Sequence, residues 1–337
     1  MLSFADIFDS FGLRDWCDES KAKSLISLSQ LRGDVIEWWE LSFPSLDNLH
    51  KACSAIPQTR DLTASLETGF LAVRPSLRLV LDPITQPLSW ALEYTLLFFT
   101  TMPWWALVPL ILFGSQYVSK SWRITLLVAL CFIFFLFTDH YTYAIQTLSI
   151  IFVCTVLCTL IGIPVGILMS KKDTAQRMIT PVLDMLQTLP TFVYLIPLIF
   201  LFKITEPKLY GLAIIFYSIV PVIRLTNLGI RLIDKDLIEA ADAYGMTARQ
   251  KLVNVEIPLA LPNIMAGINQ TIMMSLAMVV IASLVSAPGL GTLVLDGINN
   301  LRLGVGFVAG FGIVLLAVIL DRVSKTALAR LDESREI

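Results

Sequence analysis

The sequence has 337 residues, of which 56% are hydrophobic and 15% charged, and its mean hydropathy is +0.74. Because soluble domains average about 25% charged residues, this composition excludes a soluble globular protein and favours an all-α polytopic membrane protein. The net charge of −2 points to neither an acidic nor a basic partner.

The first 87 residues are the most polar part of the chain. Acids and bases are nearly balanced there, and the start lacks the basic, apolar pattern of a cleaved signal peptide. A short helix is predicted around residues 35–41, where Trp38 and Trp39 fit an interface anchor or a plain surface helix equally well. Residues 1–87 are therefore assigned to an N-terminal tail, which the distribution of basic residues described below predicts to be extracytoplasmic.

Residues 88–101 are apolar but shorter than the roughly 20 residues that a span needs, so they predict an amphipathic helix in the membrane interface. About seven spans follow within a transmembrane domain of residues 88–325. Gly162, Pro164 and Gly166 predict close packing or a kink in the third span. The predicted spans are residues 103–118, 124–138, 144–170, 179–202, 209–228, 264–287 and 305–320.

Lysine and arginine concentrate on alternate connections between these spans. The opposite connections hold only Lys203, Lys208 and Arg302. Since the base-rich side of a membrane protein is cytoplasmic, the N-terminus is predicted outside, and the C-terminal tail, residues 326–337, inside. Residues 234–263, between the fifth and sixth spans, then lie in the cytoplasm.

Residues 234–263 are too charged for the bilayer centre, yet they are patterned rather than irregular. Gly245 suits the left-handed conformation that ends a helix. Before it, four apolar side chains recur at helical spacing and form one stripe: Leu237, Ile238, Ala241 and Tyr244.

A second short helix is predicted after that glycine. Thr247, followed three residues later by Gln250, fits a capping box. Pro258 is predicted to end this helix, because proline lacks a donor and clashes with the preceding turn. Two helices with an apolar stripe in water suggest a docking surface, although the stripe could instead pack only on the chain's own helices.

The sequence contains no recognisable catalytic motif. It has no G-x-x-x-x-G-K-[ST] phosphate loop, no H-E-x-x-H pair and no G-x-S-x-G turn. Cys154 and Cys158 lack the further ligands that zinc needs, so we expect no metal and no cofactor in this chain. Cys17 and Cys53 could pair if the tail faces an oxidising compartment. The third and sixth spans contain no carboxylate, which argues against an ion-coupled carrier.

Two polar stretches could line a pathway through the membrane. Prolines in the fourth span free backbone carbonyls, which is tolerated where these face protein or water. Amide side chains in a span more often bond helix to helix than line a pathway, so both roles stay open for the sixth span. The candidates are Gln187, Thr188, Pro190, Thr191, Phe192, Tyr194, Asn269, Gln270 and Met273.

The motif Glu239-Ala240-Ala241, three residues, Gly245, nine residues, Val255, one residue, Ile257-Pro258 resembles the EAA loop of ABC importer permeases. In that family the loop inserts into a cleft on the ATPase subunit and transmits its closure. We refer to residues 234–262 as the coupling loop. The resemblance implies ATPase coupling by Glu239, Ala240, Ala241, Tyr244, Gly245, Val255, Ile257 and Pro258.

Over about residues 70–325 the sequence is similar to permease subunits of glycine betaine/proline betaine importers, most closely at 181–197 and 261–286. The resemblance implies a type I importer in a bacterial inner membrane: two copies of this chain, two ATPases that bind ATP and Mg, and a separate extracytoplasmic binding protein. Glycine betaine, proline betaine, choline or carnitine would be the substrate, taken up for osmoprotection. The alternatives are a secondary carrier that works without an ATPase and a scaffold without a pathway.

Overall fold

The computed structural model describes residues 45–53 and 56–333, and all regular structure in them is helical. It divides into two units, residues 1–77 and 78–337. The predicted helix around Trp38 and Trp39 lies outside the described residues, as does Cys17 of the possible cysteine pair. The all-α class is confirmed.

Thirteen α-helices cover the described residues. A π-helical turn, Leu252–Glu256, joins α10 to α11, and a 3₁₀ turn, Ser283–Val285, follows α11. The helices are α1 (Leu46–Ala52), α2 (Thr59–Thr101), α3 (Trp104–Ser119), α4 (Trp122–Phe137), α5 (Tyr141–Lys171), α6 (Asp173–Thr188), α7 (Leu195–Leu201), α8 (Pro207–Arg231), α9 (Lys235–Ala243), α10 (Ala248–Lys251), α11 (Ile257–Ala282), α12 (Leu290–Asn299) and α13 (Leu303–Glu333).

Four helices in the described part of the chain are long and apolar enough to cross a membrane: α5, α8, the continuous helix Ala248–Val285 and α13. A fifth candidate is the pair α2 and α3, bent by 111°. The remaining predicted spans form shorter helices, namely the 16-residue α4 and the broken pair of α6 and α7.

The segment predicted to be an interfacial helix, residues 88–101, is helical but belongs to a much longer element. The 43-residue α2 begins at Thr59 and runs through Pro75, Pro83 and Pro87. The predicted domain boundary after residue 87 therefore falls inside a helix. Local proline signals did not reveal this, because a proline removes one hydrogen bond without always ending the helix.

Small residues bring α5, α8 and α11 into close contact, which confirms the packing predicted for the third span. A Cβ added at Gly166 of α5 would lie 2.6 Å from the Cβ of Thr226 and 2.8 Å from the backbone oxygen of Ile223. A Cβ at Gly267 of α11 would lie 3.0 Å from the Cα of Val222. Such close approach is typical of helix packing in membranes.

Polar contacts within residues 78–337 identify two ends of this helix bundle. At one end, Arg231 at the end of α8 donates to the backbone oxygen of Met169 on α5 at 3.0 Å. We call this the loop end, since the coupling loop follows Arg231. At the opposite end, Lys208 Nζ of α8 donates to Asp82 Oδ1 of α2 at 2.6 Å, and the Leu290 amide donates to Thr147 Oγ1 at 2.9 Å.

Candidate functional site

The first half of the coupling loop folds as predicted. Asp234 caps α9 by accepting a hydrogen bond from the Asp236 amide at 3.1 Å. The helix is followed by Tyr244 and then Gly245, whose φ of +74° lies in the left-handed region. A glycine adopts this conformation without the steric cost that a side chain brings, so the chain can turn sharply after α9.

The second helix begins with the predicted capping box. The Gln250 amide donates to Thr247 Oγ1 at 3.4 Å, and the Thr247 amide donates to Gln250 Oε1 at 2.9 Å. Lys251 Nζ then donates to Asp242 Oδ1 at 2.6 Å, which ties α10 back to α9. The two helices and their turn therefore form one ordered unit.

The prediction that Pro258 ends the second helix is wrong. The helix is continuous from Ala248 to Val285 and passes through this proline. Just before it, the turn Leu252–Glu256 widens to π-helical geometry, and the Ile257 amide donates to the Leu252 oxygen. The wider turn accommodates the ring and the missing donor of a proline in the first turn of α11. The coupling loop thus continues rigidly into a membrane helix.

The apolar stripe of α9 divides between two environments. Ala241 is 4% exposed and Ile238 is half-buried, so these two side chains pack on the chain itself. Leu237 and Tyr244 are exposed, Tyr244 at 86%. Packing on the chain itself therefore accounts for half of the stripe. The other half leaves two large apolar side chains on the surface of a polar loop, and its role in docking remains a prediction.

The eight residues expected to couple to an ATPase differ in exposure. Four of them are exposed around the end of α9, and Ala241 is buried beneath them. The other three lie at the π-helical turn and are half-buried. The exposed residues are Glu239, Ala240, Tyr244 and Gly245, and the half-buried ones are Val255, Ile257 and Pro258.

The structure adds four charged residues that the sequence analysis missed. Arg231 donates to Asp173 Oδ1 at 2.7 Å, and Lys171 forms an ion pair with Glu256. The hydrogen bond and charge of the Arg231 guanidinium lower the pKa of the Asp173 carboxyl below its ordinary value. The partners are far apart in the sequence, so no spacing rule could have found them.

The pathway candidates of the fourth span surround the break between α6 and α7. Six residues separate Thr188 from Leu195, and Thr188, Pro190 and Phe192 are exposed there, whereas Gln187 and Thr191 are half-buried. Tyr194 is buried instead, and its hydroxyl donates to Met278 Sδ of α11 at 3.6 Å. A role of these residues in a pathway remains a prediction.

The candidates of the sixth span lie on different faces of α11. Asn269 Nδ2 donates to Asp321 Oδ1 of α13 at 3.2 Å, and Asn269 Oδ1 accepts from Ser324. This amide therefore bonds helix to helix. Gln270 is exposed and Met273 is half-buried, so these two are free of that network. Over the part of the chain that the structure describes, no cluster of three or more metal-ligating side chains occurs.

Comparison with known proteins places the coupling loop inside a matched region. Residues 159–333 match the family described as "Binding-protein-dependent transport system inner membrane component". The glycine betaine transport system permease protein OpuAB of Bacillus subtilis is 42% identical over 224 residues, 65% of this chain and 79% of that one. The glycine betaine/proline betaine transport system permease protein ProW of Escherichia coli is 46% identical over 192 residues, 57% of this chain and 54% of that one.

A solved structure shares the helical arrangement. An inward-facing structure of the MetNI methionine ABC transporter superposes with a TM-score of 0.52 at 19% identity, covering 57% of this chain and 95% of that one. At this identity the likeness establishes the fold alone.

Proposed function

Because this chain belongs to the family of binding-protein-dependent transport system inner membrane components and is a permease subunit of an ABC importer, we propose that it carries glycine betaine or a related quaternary ammonium solute into the cell. A partner ATPase that binds ATP and Mg drives this movement, and the chain itself catalyses no reaction. Proline betaine, choline and carnitine are the related candidates. The betaine permeases of Bacillus subtilis and Escherichia coli, at 42% and 46% identity, support this substrate class.

The observation that carries the proposal is the exposed end of α9. Leu237 and Tyr244 present large apolar side chains in an otherwise polar loop, and exposed apolar patches on aqueous segments mark interaction sites. A cleft on the ATPase would cover them, with Glu239, Ala240 and Gly245 at its contact surface. The capping box and the pair Lys251–Asp242 keep this surface ordered before the partner binds, which lowers the cost of docking.

The distribution of basic residues supports an orientation with the loop end in the cytoplasm. Since positive residues favour the cytoplasmic side, the C-terminus lies inside and the N-terminal tail outside a bacterial inner membrane. This orientation brings the coupling loop to the compartment that contains ATP. The bases of this end are Lys171, Lys172, Arg177, Arg224, Arg231, Lys235, Arg249 and Lys251.

The transport cycle follows from this arrangement. ATP draws two ATPase subunits together, and the coupling loops of two permease copies move with them. The continuous helix Ala248–Val285 transmits this movement into the membrane, so the pathway opens outward to a separate extracytoplasmic binding protein. Hydrolysis returns the pathway to its inward-open state. The broken segment around Pro190 and the exposed Gln270 of α11 are the proposed contacts along this route.

Co-purification and uptake test the proposal together. The tagged chain, extracted from its native membrane in detergent, should retain an ATPase. Reconstituted with the binding protein into liposomes, the complex should take up radiolabelled glycine betaine only when the ATPases are supplied with ATP. Unlabelled proline betaine, choline and carnitine, added as competitors, rank the substrates. Uptake driven by an ion gradient without any ATPase would identify a secondary carrier and refute the proposal.

A further inference from the structure

The junction between α5 and α6 is held by residues that lie before α9 and after α10. Arg231, the last residue of α8, donates to Asp173 Oδ1 at 2.7 Å and to the Met169 oxygen at 3.0 Å. Glu256, the last residue of the π-helical turn after α10, forms an ion pair with Lys171. The chain on both sides of α9 and α10 therefore attaches to one short stretch, residues 169–173.

In the ion pair between Lys171 and Glu256, the carboxylate is the buried partner. The Glu256 side chain is 3% exposed, whereas that of Lys171 is 41% exposed. A buried carboxylate is costly unless a positive partner stays with it. Glu256 and Lys171 therefore have to move together when the loop moves, because separation would leave a buried charge unpaired.

The helix that follows the junction, α6, is attached to both α5 and α8. Arg224 of α8 forms an ion pair with Asp184 of α6. Met169 packs in an apolar cluster with Leu183 of α6 and with Val220 and Ile223 of α8. A displacement at the start of α6 is thus carried along this helix to Thr188, where the chain breaks.

We propose that the α5–α6 junction is the lever by which the coupling loop moves the broken segment around Pro190, with Glu256 and Asp173 as positioning residues. This inference rests on the ATP-driven function proposed above. Two attachment points fix both the position and the direction of the junction, whereas one would allow it to pivot. The loop consequently acts on the membrane by two routes, directly through α11 and indirectly through α6.

Glu256→Gln is the main test, because it keeps the size of the side chain and removes its charge. The freed Lys171 is partly exposed and can be hydrated, so the protein should still fold. In liposomes with the ATPases and binding protein, glycine betaine transported per ATP hydrolysed should fall about fivefold or more, the usual range of coupling between sites. Asp173→Asn should shift the ratio in the same direction. Lys172→Gln, at the exposed neighbouring position, is the matched control and should leave it unchanged.

Exchanging the two charges of the ion pair between Lys171 and Glu256 tests whether it positions the junction or only stabilises the fold. The double variant Lys171→Glu with Glu256→Lys should restore the transport ratio that Glu256→Gln loses. A wild-type ratio in both Glu256→Gln and Asp173→Asn would overturn the inference, even if thermal stability fell. If the wild-type complex shows no ATP-driven uptake, the proposed function fails first and this inference fails with it.

Discussion

The substitution Gly245→Asp adds a charge to the exposed turn of the coupling loop. Gly245 has a φ of +74°, and a Cβ built on it would meet nothing within 4 Å. The side chain therefore has space, and the only internal cost is the left-handed backbone. That cost is about 1 kcal/mol for a residue with a Cβ, and aspartate tolerates the conformation better than most residues. Because native proteins are stable by roughly 5–15 kcal/mol, the variant should fold.

The effect on docking should be much larger than the effect on folding. In the proposed complex the turn lies against the ATPase, so the new carboxylate would lose water without a partner. Desolvation of an unpaired ion costs several kcal/mol, and each 1.4 kcal/mol is tenfold in affinity. A cost of about 3 kcal/mol weakens ATPase binding by more than 100-fold, and ATP-driven uptake should be abolished.

Two measurements test this reasoning. Retention of the ATPase on the tagged permease reports docking, and thermal unfolding of the permease alone reports folding. Gly245→Asn is the matched control, since it has the same shape and backbone tolerance without the charge, and its loss of ATPase should be several-fold smaller. Normal uptake by Gly245→Asp, or an equal loss with asparagine, would refute the electrostatic argument.

Three further variants test other parts of the structure. Gly166→Ala should lower the unfolding free energy by about 1–3 kcal/mol, because the added Cβ meets Thr226 at 2.6 Å; Gly310→Ala, where nothing lies within 4 Å, should not lower it in the same thermal assay. Asn269→Ala should cost about 1 kcal/mol of stability and leave the KM of uptake unchanged; an altered KM would instead indicate a pathway role. Asp173 has a folded-state pKa below its ordinary value of 3.8, so the ionised carboxylate stabilises the fold at neutral pH and this contribution is lost as the pH falls below 3.8. The stability difference between wild type and Asp173→Asn should therefore disappear in acid, and a difference that grows there would contradict the ion pair with Arg231.

Local features of the coupling loop could be predicted from sequence because their causes are local. A left-handed turn after α9 needs a residue such as Gly245, and a capping box needs Thr247 and Gln250 three residues apart. Pro258 was misjudged because its effect depends on the turn before it, which can widen to π-helical geometry. Sequence rules treat proline as a helix breaker without knowing whether the preceding backbone can adapt.

The roles of polar side chains inside the membrane were less predictable. Asn269 and Gln270 are adjacent in sequence, yet the first bonds α13 and the second is exposed. Tyr194 follows the exposed Phe192 and Val193 but is itself buried, and its hydroxyl donates to Met278 Sδ. A helix places neighbouring residues on different faces, so their roles depend on which helices surround each face.

Composition and hydropathy determined by themselves that the protein is an all-α membrane protein. The sequence of the coupling loop determined its two helices and the turn between them, because these features depend on single residues and on spacings of a few residues. The tertiary structure alone decided that Lys171 pairs with Glu256 and that Arg231 pairs with Asp173. Those contacts join residues far apart in the chain, and they form only because close packing brings the ends of α5, α8 and α11 together.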